Sequence, residues 1–121
     1  MSFPTIQFKT TNTPADPSLQ EHAAVKLATL EKFIAGATDT TCQVEFEKVA
    51  SHQSGTIYRV EANLYANGEL YRAEATRDSF MNAIDAVEAE LDKELRRKND
   101  KRETLLKRGG RKIKEMLRFG K

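Results

Sequence analysis

Three groups of side chains in this sequence are of types that could do chemistry: two histidines and one cysteine, carboxylates at alternating strand positions, and lysines and arginines crowded toward the C-terminal end. His22 falls in a helical pattern and His52 in a loop pattern. Neither has a second ligand at metal spacing, so no metal site or cofactor is expected. Cys42 alternates with strand residues and has no base or nucleophile elbow around it, so it reads as a small buried hydrophobe rather than a nucleophile. Gly109-Gly110 lies in a basic stretch and does not follow a strand, which argues against a phosphate loop and nucleotide hydrolysis. Glu45 with Glu47, or Glu61 with Glu74, could pair for general acid–base work, but solvated strand faces carry the same pattern. A small hydrolase built on them is the minor alternative. The expectation is that the chain is not an enzyme and takes no small-molecule substrate.

The cations differ in kind. Lys93, Arg97 and Lys101 follow at i, i+4 and i+8 with Arg96 beside them. At about 100° per residue they lie opposite Leu91 and Leu95. Lys98 and Arg102 stand where the apolar stripe would otherwise continue. A helix face of this composition suits a phosphate backbone, which it would bind largely by releasing counterions. The competing reading is a solubility face balanced by Asp92, Glu94, Asp100 and Glu103.

Charge along the chain supports the polyanion reading. The 20 Lys/Arg and 18 Asp/Glu of the 121 residues give a net +2. From residue 92 onward, however, 13 bases stand against 5 acids, so that segment carries +8 and the remainder −6. A concentrated positive end on a nearly neutral chain indicates a polyanionic partner. One free cysteine excludes an internal disulfide and no run approaches the roughly 18 apolar residues of a membrane span, so a cytoplasmic protein with no membrane partner is expected.

Elements must position these residues. Ile6 and Phe8 alternate with Gln7 and Lys9 as in a half-buried strand. Asp16 and Pro17 then suit an N-cap and first helical position. Leu19, Ala23, Leu27, Leu30 and Ile34 mark a helix over 17–35, stopped at Gly36. Cys42, Val44 and Phe46 mark a second strand, and 50–55 a polar loop. Asn67-Gly68 predicts a type I′ hairpin. A two-residue loop there pairs 66 with 69, 64 with 71, 62 with 73 and 60 with 75. Val60, Ala62 and Leu64 then share a face with Ala75, Ala73 and Tyr71, while Tyr65 is left on the open side. A single exposed aromatic is no stacking platform, so backbone recognition by the helices is favoured over an RRM-like mode. Ser79 can cap a final helix whose stripe is Phe80, Ile84, Val87, Leu91 and Leu95, and Gly109-Gly110 is expected to break it. The order reads β-α-β-β-β-α in one α+β domain, with only one sheet face needing cover.

The segment from Ala73 to Lys101, AEATRDSFMNAIDAVEAELDKELRRKNDK, resembles the signature of the ribosome hibernation promoting factors, a family that includes ribosome-associated inhibitors and ribosomal subunit interface proteins. There an alanine-containing strand leads into an aspartate-methionine-tyrosine-alanine-alanine-isoleucine-aspartate helix start and a leucine-spaced basic helix. Ala83-Ile84-Asp85, Leu91 and Leu95 match in register. SLQEHAAVKLATLEKF resembles the family's first helix through Leu27, Leu30, Glu31, Lys32 and Phe33, and Val44 to Lys48 resembles its second strand. Ser79 and Met81 stand where the family usually has Asp and Tyr, and Gln20 and Thr29 stand where bases are common. The likeness covers about residues 5–102.

This resemblance implies a four-stranded sheet with two helices on one face, similar to a double-stranded-RNA-binding domain. It divides the chain into a ribosome-binding domain over 1–103 and a basic tail over 104–121, flexible or a short helix. It implies binding in the decoding groove of the small ribosomal subunit, on ribosomal RNA at the A and P sites. There it would exclude messenger and transfer RNA and silence idle ribosomes. The implied RNA-binding residues are Lys26 and Lys32 on the first helix and Lys93, Arg96, Arg97, Lys98 and Lys101 on the second, to which the cationic stripe adds Arg102. Without the second domain of the long forms, the chain is expected to be a short form, monomeric off the ribosome. The alternative is a general double-stranded-RNA-binding module with no preference for ribosomes.

Overall fold

The computed structural model describes residues 3–49 and 55–119, with side chains described through residue 100. The loop expected over 50–55 falls mostly outside the described residues, as does any role of the side chains of Lys101 and Arg102. In chain order the elements are β1 (Ile6–Thr11), α1 (Pro17–Ala28), α2 (Glu31–Ile34), β2 (Thr41–Lys48), β3 (Tyr58–Ala66), β4 (Glu69–Arg77) and α3 (Phe80–Phe119). The strands form one sheet in the order β1-β2-β3-β4. β1 and β2 run parallel, with Phe8 opposite Val44. Parallel neighbours cannot be joined by a tight turn, and here α1 and α2 make the crossover. The other pairs are antiparallel.

The hairpin register is the one that its turn dictates. Asn67 and Gly68 both take positive φ, 54° and 75°, as a type I′ turn requires. Ala66 pairs with Glu69, Leu64 with Tyr71, Ala62 with Ala73 and Val60 with Ala75. All eight of these side chains except Glu69 are buried. With Cys42, Val44 and Phe46 they fill one face of the sheet, and both α1 and α3 cover it. The small Ala62–Ala73 pair leaves room for a helix to approach the centre of that face. At the start of α3, Phe80 meets Phe46 edge-on at 5.5 Å and Tyr58 edge-on at 5.0 Å, while Phe8 stacks on Phe46 at 5.9 Å. Cys42 is 1% exposed, and burial pushes its thiol pKa up to about 12, in keeping with an inert core side chain.

Helix starts follow their caps. Asp16 accepts from the Ser18 amide at 3.0 Å with Pro17 following, and Ser79 Oγ accepts from the Asn82 amide at 3.1 Å. Two helical expectations need correction. The helix expected over 17–35 is interrupted at Thr29 and Leu30. The Thr29 hydroxyl donates to the Lys26 carbonyl at 2.6 Å, and the Leu30 amide reaches only as far back as Leu27, at 2.9 Å. A side chain competing for the backbone closes α1, and α2 restarts so that Leu30 and Ile34 still reach the core. Gly36 then takes the left-handed conformation, φ 83°, after the short second piece.

The break expected at Gly109-Gly110 does not occur, and α3 runs through to Phe119. A glycine costs a helix interior only about 1 kcal/mol relative to alanine, which flanking Lys, Arg, Leu and Glu can carry. At 1.5 Å per residue the 40 residues of α3 span about 60 Å, although Leu95 is its last core residue among those described. No helix of the described residues is long and apolar enough to cross a membrane.

The burial contrast is directly measurable. Leu91→Ala is expected to lower unfolding free energy in urea by about 2–5 kcal/mol. Val25→Ala, at a position 64% exposed on α1, should change it by less than about 0.5 kcal/mol. Similar effects at the two positions would contradict the placement of the core.

Candidate nucleic-acid interface

Burial of Ile84, Val87, Leu91 and Leu95 sets the rotation of α3 about its axis. Asp85, Glu88, Asp92 and Arg96 consequently lie along the flank facing α1 and α2, while Lys93 and Arg97 point away from the sheet. On the α1 side, His22 Nε2 lies 3.0 Å from Asp85 Oδ1, and Lys26 Nζ lies 3.7 Å from the same oxygen. Thr29 Oγ1 lies 3.2 Å from Glu88 Oε2. Further along, the cations of two helices converge: Lys32 Nζ from α2 and the Arg96 guanidinium carbon from α3 each lie over the Phe33 ring, 5.2 Å from its centroid. Phe33 is half-buried and packs against the core, so the ring is a fixed platform.

Of the eight cations singled out from the sequence, Lys26, Lys32, Lys93, Arg96 and Arg97 fall on the helical side of the domain. Lys93 is exposed and has no acid within ion-pair distance among the described residues. Arg97, 71% exposed, bonds Glu94 at 2.7 Å, and Arg96 bonds Asp92 through Nε at 3.2 Å. Lys98 turns to the other flank and meets Glu69 of β4 at 3.3 Å, so it is set apart from the rest. Exposed pairs at i, i+3 and i, i+4 contribute only a few tenths of a kcal/mol and are screened by salt. They orient the cations and yield readily to a stronger anion. Sequence periodicity did not reveal His22, Asp85, Glu88 and Phe33 as parts of this face. Their juxtaposition depends on how α1 and α2 lie against α3, and helical spacing within one segment carries no signal of that.

The open face of the sheet is built differently. Arg59 lies at its centre and pairs with Glu47 at 3.0 Å, Glu61 at 3.1 Å, Glu45 at 3.8 Å and Glu74, while Arg72 Nε meets Glu61 at 2.5 Å. The Arg59 guanidinium, by hydrogen bond first and then by charge, holds the Glu74 carboxyl below the usual range. Its own pKa is raised chiefly by the hydrogen bond to Glu74. These carboxylates are committed to arginine, which makes them poor acid–base catalysts. A depression of about 350 Å³ beside them is lined by Gln7, Phe8, Lys9, Gln43, Val44, Glu45, Glu61 and Asn63, a set without a serine, a cysteine or a histidine. Tyr65, 42% exposed, stands opposite Leu70, which leaves one aromatic on this face among the described residues.

Comparison with known proteins adds a family. The profile of the family described as "Sigma 54 modulation protein / S30EA ribosomal protein" matches residues 6–103. No curated protein matches the chain. Among solved structures, the N-terminal domain of Protein Y from Thermus thermophilus superposes with a TM-score of 0.65 at 19% identity, over 78% of this chain and 97% of that one. A ribosomal subunit interface protein from Coxiella burnetii has the same TM-score, identity and coverages. At that identity the two structures speak for the fold alone.

The Arg59 cluster makes a signed prediction. Because Glu74 is held below the usual range, its pairing stabilises the fold above the ordinary glutamate value of about 4.3. That contribution is lost as pH falls through the depressed value. Arg59→Met removes most of it and leaves Glu45, Glu47, Glu61 and Glu74 with Arg72 as their remaining arginine, so protonation should then relieve repulsion among them. Urea midpoints should fall on acidification in the parent and fall less, or rise, in the variant. Parallel pH curves would show that Arg59 does not hold these acids.

Proposed function

We propose, because this chain belongs to the sigma 54 modulation protein / S30EA ribosomal protein family, that it is a ribosome hibernation factor acting in the decoding groove of the small subunit. The domain would lay its helical side on ribosomal RNA at the A and P sites, exclude messenger and transfer RNA, and keep an idle ribosome from initiating. A ribosomal partner places this work in the cytoplasm, and no small molecule enters the mechanism.

The observation that carries the reading is the convergence of α2 and α3 cations on one side of the fold. Lys32 and Arg96 share the Phe33 ring, and Lys93 and Arg97 project beyond them one turn apart on α3. A turn is about 5.4 Å, so the spacing suits successive contacts along a phosphate backbone. The acid that orients Arg97 is a weakly held partner in water, and a backbone phosphate replaces it with release of its own counterions, while Arg96 keeps free donors beside the one that Asp92 takes. Lys26 contributes from α1 once its contact with Asp85 is exchanged. Lys98, Lys101, Arg102 and the basic residues of 104–121 extend the positive charge along the same chain direction and add phosphate contacts at the periphery. The chain works as a monomer, since a groove in the subunit accepts one domain.

Sedimentation with purified small subunits tests the reading. About six phosphate contacts give a slope of log K against log salt of roughly −4 to −5. Replacing Lys93, Arg97 and Lys101 together by alanine should reduce that slope by about 2–3 while leaving the thermal midpoint nearly unchanged. Transfer RNA bound in the groove should compete, and free RNA duplex should not. A chain that stays at the top of a low-salt gradient refutes ribosome binding. One that prefers free duplex is a general double-stranded-RNA binder instead.

A further inference from the structure

We infer that Phe33 is a positioning residue whose ring holds Lys32 and Arg96 as a two-cation clamp for a single backbone phosphate of RNA. This inference rests on the RNA-binding reading above and assigns to Phe33 a part in it. Two observations and one principle carry it. Lys32 Nζ and the Arg96 guanidinium come from different helices yet lie at the same 5.2 Å from the same ring centroid. Cations drawn to one ring repel each other, and the negative π-faces of that ring offset the repulsion in the absence of an anion. Phe33 is itself fixed, half-buried and packed against the core, so the cations inherit its position.

The local charge is left incomplete in a way that suits one monoanion. Asp92, the acid paired with Arg96, bonds its Nε at 3.2 Å and so uses one of the five guanidinium donors. Lys32 makes no ion pair among the described residues, its neighbour Glu31 included. In the ion pairs of the described residues, Lys32 and Arg96 thus have a single acid, Asp92, between them, an excess that a phosphodiester neutralises. A guanidinium and an ammonium both donate to phosphate oxygens, the first as a planar fork and the second as a point charge. Arg96 thus sets the orientation of the phosphate and Lys32 closes on it. Preorganisation matters because long side chains otherwise lose rotamer freedom on binding. Without the ring, each cation would be a separate flexible contact.

The test uses the full chain and purified small subunits, with Kd measured at several salt concentrations and urea stability measured alongside. Phe33→Leu keeps an apolar side chain against the core and removes the ring face. It should weaken binding about fivefold, whereas Phe33→Tyr, which keeps the face, should bind like the parent. In a background of Lys32→Ala with Arg96→Ala, Phe33→Leu should have no further effect on Kd. Lys32→Ala and Arg96→Ala should also be non-additive in the parent. This pair is exposed, so it tests the clamp even if Phe33→Leu unfolds. Unchanged binding by Phe33→Leu, an equal loss in the double-alanine background, or additive Lys32 and Arg96 effects would each overturn the clamp. Failure of the parent chain to bind small subunits would instead overturn the RNA reading on which it rests.

Discussion

The contact of the Phe80, Ile84, Val87, Leu91 and Leu95 stripe with the sheet governs the rest of this structure, because it sets which way every other residue of α3 points. A helix buried along one stripe has no remaining freedom to rotate. Lys93 and Arg97 face water because Leu91 and Leu95 cannot. The flank with Asp85, Glu88, Asp92 and Arg96 is presented to α1 and α2 for the same reason. The seat for this stripe is supplied by β3 and β4, whose alanine pair at 62 and 73 keeps the centre of the sheet shallow. The Phe46–Phe80–Tyr58 contacts anchor the helix at its first turn.

The two outer surfaces then have opposite electrostatic characters for structural reasons. On the open sheet face, period-two alternation brings Glu45, Glu47, Glu61 and Glu74 around one guanidinium, so most of the charge there is satisfied internally. On the helical side the pairings are short-range and exposed, Arg96 with Asp92 and Arg97 with Glu94, and Lys93 has no acid beside it among the described residues. Pairs of this second kind contribute little to stability and dissolve when a polyanion approaches. Among the described residues the molecule therefore presents a largely settled surface and an unsettled one, and the second has more charge to offer a partner.

The interruption at Thr29 also shapes the second surface. A straight helix over 17–35 would carry its last turn along a single line. Ending α1 at Ala28 and restarting at Glu31 lets Leu30 and Ile34 remain buried while Lys32 and Phe33 are delivered beside Arg96. The Thr29 hydroxyl that closes α1 also touches Glu88 of α3, so the bend and the helix pairing share a side chain.

Much of this was legible in the sequence because it depends on local rules. Asn67-Gly68 dictates the hairpin register, alternation assigns each strand residue to a face, Asp16 and Ser79 cap helices, and the apolar stripe of α3 places Lys93 and Arg97 outward. These follow from backbone sterics and from periods of 2 and 3.6 residues, which a single segment expresses by itself. The break at Thr29 and the passage of α3 through Gly109-Gly110 were not legible, since each is settled by a balance of about 1 kcal/mol between local preference and the surrounding helix. Nor could the sequence show that Arg59 gathers four glutamates from three strands, that His22 and Lys26 share Asp85, or that Lys32 and Arg96 meet on Phe33. Most of those contacts join residues far apart in the chain, up to 63 positions for His22 with Asp85, and only the stacking of helices and strands across the shared core brings such side chains within bonding distance.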